Sequence, residues 1–171
     1  MRLFCLSGIL MFSLLAPAAF SLEGAPPLNA EKYPQDTPKN TLNSILKALE
    51  KRDFEYWIVW LIIPDDTKKL IDKHGSLAAV SLMNADDKHT PRIKRQMDAI
   101  TTMLKLDKMT EGTENGVQYV RFHDDKKILQ LEKQPDGRWS MNICRSNELA
   151  KEEAARKAAA EAAAQQKDEK K

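Results

Sequence analysis

Cysteine is scarce in this chain: Cys5 and Cys144 are the only two among 171 residues. Cys5 lies in an N-terminal leader, so the mature chain keeps one thiol and cannot close an internal disulfide; the fold must stand on its packed core. Glycine is nearly as rare. The six glycines form no G-x-G repeat, which excludes a dinucleotide fingerprint, and no phosphate-cradling loop or Ser-His-Asp grouping is present. Three histidines, His74, His89 and His123, fall at no metal-placing interval and have no mature cysteine pair beside them. No metal and no cofactor are expected. Charge of one sign is missing too: 27 Lys and Arg against 25 Asp and Glu give +2, too balanced for a protein that neutralises phosphates, so nucleic acid is not an expected partner.

What is there begins with a leader. Met1-Arg2 is followed by the uncharged run Leu3 to Leu15, then Ala16-Pro17-Ala18-Ala19-Phe20-Ser21, where small residues suit a cleavage site. This pattern predicts a signal peptide over residues 1–21 and a protein exported to the periplasm or secreted. The apolar run is shorter than the roughly 20 residues that span a bilayer, so an uncleaved anchor is the lesser reading, and no transmembrane segment is expected after cleavage. The whole chain is 42% hydrophobic and 30% charged, an ordinary globular composition, and what remains after the leader suits one domain.

Residues 22–36 carry Pro26, Pro27 and Pro34 and read as an extended spacer. Thr37-Pro38 then signals a helix start, and Leu42, Ile45, Leu46 and Leu49 form one apolar stripe. Asp53 breaks it and opens a second helix through Phe54, Trp57, Ile58 and Leu61, stopped by Pro64. A short helix is predicted from Asp66 to Lys73, closed by Gly75. Residues 76–87 give no clear signal. Thr90-Pro91 repeats the start signal for a helix carrying Ile93, Met97, Ile100 and Leu104 on one side. From Lys108 the period changes to two. Turns at Asn115-Gly116, Asp124-Asp125 and Pro135-Asp136-Gly137 divide four strands near 108–114, 117–123, 127–133 and 138–144. Val120, Phe122, Leu129, Leu131, Trp139, Met141 and Ile143 share one face, with Gln118 out of step. The class is therefore α+β: N-terminal helices packed on one face of a four-stranded antiparallel meander over residues 37–145. Residues 146–171, rich in alanine and with Leu149 as the one large apolar side chain, predict a solvated charged helix supported by Glu152–Arg156 and Glu153–Lys157 pairs.

The run Thr37-Pro38 through Leu61, with a basic residue and Asp53 joining two helices, resembles the opening of cone-shaped α+β domains of the nuclear-transport-factor-2-like (cystatin-like) superfamily. Asp136-Gly137-Arg138-Trp139 resembles the last turn and strand of the same fold. The chain is also similar to short, uncharacterised exported proteins common in planctomycete-type bacteria. The resemblance covers about residues 36–145 and implies a cone. It carries over no catalytic residue.

Several residues invite a chemical role. Trp57, Trp60, Phe122 and Trp139 could wall an apolar ligand pocket between helices and sheet, or simply fill the core. Lys88, Arg92, Lys94 and Arg95 crowd a helix start and could meet an anionic partner, with Asp86 and Asp87 as local compensation. His123-Asp124-Asp125 is the best acid–base cluster, although alternation places His123 on the face of Tyr119 and Arg121, away from the core. Asp65-Asp66 reads as a helix cap. Cys144 reads as a half-buried small residue at a strand end, or else as a reactive or bridging thiol. These features favour a non-catalytic exported binding or interaction module, taking a small apolar ligand or a protein partner. A cone-fold enzyme working through His123 or Asp124, and a structural envelope protein using its helical tail, are the alternatives.

Overall fold

The computed structural model describes residues 24–124 and 127–168; the predicted signal peptide and Asp125 lie outside the described residues. Thr37 accepts a hydrogen bond from Asn40 N–H at 3.2 Å, and Pro38 opens α1 (Pro38–Glu50), whose Leu42, Ile45 and Leu49 are buried as the stripe requires. Arg52, in the left-handed region at φ 55°, turns the chain into α2 (Phe54–Tyr56). The expected second helix then widens into a π-helical turn, Trp57–Leu61, that ends before Pro64. Widening the turn disturbs the regular carbonyl pairing, and the buried Thr67 hydroxyl donates to Ile58 O at 2.6 Å.

The next helix, α3 (Pro64–His74), closes on Gly75 at φ 90°. The region without a clear sequence signal is helical: Ser76 accepts from Ala79 N–H and starts α4 (Leu77–Ala85), followed by a 3₁₀ turn at Asp87–His89. In α5 (Thr90–Leu106) the second Thr-Pro pair differs from the first. Thr90 is already helical and caps nothing, because the preceding 3₁₀ turn runs directly into the helix.

The sheet follows the expected meander, β1 (Met109–Glu114), β2 (Val117–His123), β3 (Ile128–Lys133) and β4 (Trp139–Asn142), in that spatial order and antiparallel throughout. Asn115 and Gly116, both at positive φ, form the tight β1–β2 hairpin. Register pairs Phe122 with Leu129, Val120 with Leu131 and Leu131 with Met141, so the apolar set meets across strands and faces α1 and α5.

Two segments depart from expectation. The presumed spacer is part of the domain. Tyr33 is fully buried against Tyr56, with ring centroids 4.3 Å apart, and its hydroxyl donates to Asp53 at 2.7 Å. Gln35 donates from its buried amide to the Trp60 and Trp139 carbonyls, and Trp60 Nε1 donates to Pro26 O at 2.8 Å. Prolines make the arm extended, yet an extended arm still buries alternate side chains.

The tail also docks. β4 stops at Asn142, not Cys144, because the Asn142 side chain accepts from Arg145 N–H at 2.7 Å and caps α6 (Ile143–Asp168). Leu149 is buried and α6 packs against β3. Asp65 and Asp66 lie in the first turn of α3 as expected, but neither caps it, and Asp66 accepts from Cys144 N–H at 2.9 Å in the first turn of α6. Arg145 takes Glu148 and Glu152, so Arg156 turns to Glu153 at 2.7 Å in place of the Glu152 pairing. Among the described residues no helix is long and apolar enough to cross a membrane.

Candidate functional site

The helices cover one face of the sheet, so the other face is left to polar side chains and the base of α6. Alternation puts Tyr119, Arg121, His123, Gln130 and Glu132 there. Near its β1 side lies a cleft of about 250 Å³ whose walls include Glu114, Tyr119, Glu132 and Arg145. Its polar groups satisfy one another: Arg121 donates to Gln130 at 2.8 Å, and Gln130 and Asn142 both donate to Glu132 at 2.7 Å. Arg121 also stacks over Tyr119, 4.1 Å from the ring centre.

A second cleft, of about 170 Å³, lies where the β2–β3 turn meets α6, and it has a different character. Lys127, Arg156, Lys157 and His123 line it with Asp124, Glu153, Ile128 and Ala150, so cations outnumber carboxylates. Lys127 Nζ also reaches Arg95 O at 3.4 Å, which brings the first turns of α5 to the rim. His123 Nε2 lies 3.0 Å from Thr110 Oγ1. Burial, and then the Arg121 charge, push its pKa below the ordinary imidazole value, against the pull of Glu153. The ring is thus held mainly neutral near pH 7, as a hydrogen-bonding group.

The anticipated residues are distributed as follows. Trp57, Phe122 and Trp139 are buried in the core, and Trp60 sits at its edge under Arg138, 5.1 Å from the guanidinium. None of them is among the lining residues of these two clefts. Of the basic group, none lines the second cleft: Arg95 meets it only through its backbone carbonyl, which accepts from Lys127, and Arg92 donates to the buried Asn84 at 2.9 Å. Lys88 and Lys94 are exposed, and Asp87, expected to offset them, pairs with Arg52 at 3.6 Å. His123 and Asp124 do share a cleft. Among the described residues, no three His, Cys, Asp or Glu side chains gather as a metal site. Cys144 is exposed on α6, not half-buried at a strand end. Lys69 lies 3.8 Å from its sulfur, yet the hydrogen bond to Asp66, and then partial burial, raise the thiol pKa, which disfavours the thiolate.

Lys127, Arg156 and Lys157 were not singled out by sequence as site residues, the last two being read only as ion-pair partners on the tail helix. One sits after a turn and two sit on a helix that reads as solvated, so only docking of α6 joins them. No family model, curated protein or solved structure matches this chain.

Proposed function

We infer that the chain is an exported, non-catalytic binding module, and that it takes an anionic group at the basic cleft between the β2–β3 turn and α6. The observation that carries this reading is the convergence of Lys127, Arg156, Lys157 and His123 on one concavity. Guanidinium and ammonium groups suit a carboxylate or phosphate, and the Ile128 and Ala150 walls suit a short apolar stem beside it. This reading puts binding on the outer side of the sheet and not at the helix–sheet interface, where Trp57, Phe122 and Trp139 are buried in the core. The exposed residues of α6 beyond Lys157 favour an added role as a handle for a larger assembly.

Titration of the chain from Leu22 onward with inorganic phosphate and with acetate, followed by amide NMR, tests the reading. Saturable shifts should cluster at His123, Lys127 and Ile128 and vanish in a Lys127→Ala, Arg156→Ala double variant. Weak shifts spread over all basic residues, or binding unchanged in that variant, refute it.

A further inference from the structure

The two edges of the sheet are treated differently. β4 is closed on its outer side: Ile62 bridges Met141, Ile63 N–H donates to Met141 O at 3.0 Å, and Trp139 N–H donates to Gln35 O at 2.9 Å. At the outer side of β1, among the described residues, no backbone group bonds to another segment. Proteins usually protect such an edge with charged side chains, proline, a bulge or a covering element; β1 carries two carboxylates, Glu111 on the face of the buried Val120 and Glu114, but no lysine, proline or bulge. β1 reads Met-Thr-Glu-Gly-Thr-Glu, runs without a bulge from Met109 opposite Phe122 to Glu114 opposite Val117, and is largely exposed. Leu106 and Met109 are exposed large apolar side chains at its start.

We propose that β1 is a self-pairing edge, through which two copies of the chain join their sheets antiparallel with Gly112 opposite Gly112. The ladder fixes which groups are available. His123 N–H donates to Lys108 O at 3.1 Å, so Lys108 faces β2, and alternation gives Thr110, Gly112 and Glu114 to β2 as well. The N–H and C=O groups of Met109, Glu111 and Thr113 therefore point outward. A two-fold axis through an antiparallel pair requires one residue to oppose its own copy, since directly opposed residues share a face. Only axes at Glu111 or Gly112 keep most of the strand paired. The Glu111 axis stacks two carboxylates directly, which is repulsive.

The Gly112 axis is self-complementary. It sets Glu111 against Thr113, Thr110 against Glu114, and Lys108 diagonal to Glu114, each twice by symmetry. It uses outward backbone groups at Glu111 and Thr113, and it brings the two chains closest where there is no side chain. A Cβ at Gly112 would collide with the Tyr119 hydroxyl, so that face of the glycine is already covered from within the subunit.

Sedimentation of the chain from Leu22 onward, from micromolar to millimolar concentration, should show a monomer–dimer equilibrium. Thr113→Pro deletes an outward N–H without touching the β1–β2 ladder, and it should abolish the dimer while circular dichroism stays native. Thr113→Lys sets two ammonium groups against the two Glu111 carboxylates, and Thr113→Glu sets two more carboxylates there. The first should tighten and the second weaken the dimer by about three- to tenfold. A chain monomeric at millimolar concentration, a dimer that survives Thr113→Pro, or Lys and Glu variants that shift affinity in the same direction overturns the proposal. The Lys and Glu pair also decides the matter if the proline variant fails to fold.

Discussion

At the scale of single residues, His123 links the fold to pH. Its partners come from several elements: Thr110 on β1, Arg121 on β2, Lys127 at the turn, and Glu153, Arg156 and Lys157 on α6. Burial and Arg121 depress its pKa in the folded chain, so below the ordinary imidazole value the unfolded chain binds more protons than the native one. Stability contributed by the neutral ring is present above that value and is lost as pH falls through the lowered native pKa. Urea unfolding should therefore show stability declining from neutral toward mildly acidic pH, and His123→Gln should flatten that part of the profile. An unchanged slope in the variant would show that other groups set it. Asp53 illustrates the opposite balance. Burial opposes its ionisation, yet hydrogen bonds from Lys32 and Tyr33 outweigh burial and hold its pKa below the usual carboxylate range.

Among the elements, α6 divides into a docked base and an exposed extension. Asn142 caps it, Ser146 Oγ accepts from Gln130 N–H at 2.9 Å where β4 has ended, and Leu149 is buried. Truncation after Ser146 should cost about 1.5–3 kcal/mol, the worth of one buried leucine. Truncation after Lys157 should leave the melting temperature nearly unchanged while circular dichroism loses helix. A chain indifferent to both cuts would mean that Leu149 contributes nothing, and the cleft against α6 would then lack a fixed wall.

Across the whole molecule, the N-terminal arm and the C-terminal helix each cover a different part of the sheet. The arm covers the β4 side through Gln35 and Trp60, and α6 covers the outer face of β3. Tyr33→Ala tests whether the arm is integral. Removing a buried aromatic ring should destabilise the domain by about 3–5 kcal/mol, measured by urea unfolding, whereas a true spacer would show almost no change. The loss is a large share of the roughly 5–15 kcal/mol by which domains of this kind are stable.

The sequence alone determined the class and most of the element order. Helical spacing at Leu42, Ile45 and Leu49 and alternation at Val120 and Phe122 are local consequences of which face each element must bury, and Thr37, Gly75 and Asn115-Gly116 mark ends by their own backbone and capping chemistry. Tertiary structure decided the rest. Tyr33 looks like any residue of a proline-rich stretch until Tyr56 and Asp53 meet it, and Leu149 looks too isolated to dock until β3 supplies a surface. The candidate cleft was half legible: His123 and Asp124 stood out by residue type, but Lys127, Arg156 and Lys157 join them only through contacts between distant segments. Local patterns encode burial one element at a time, whereas a binding surface is set by which elements come to lie side by side.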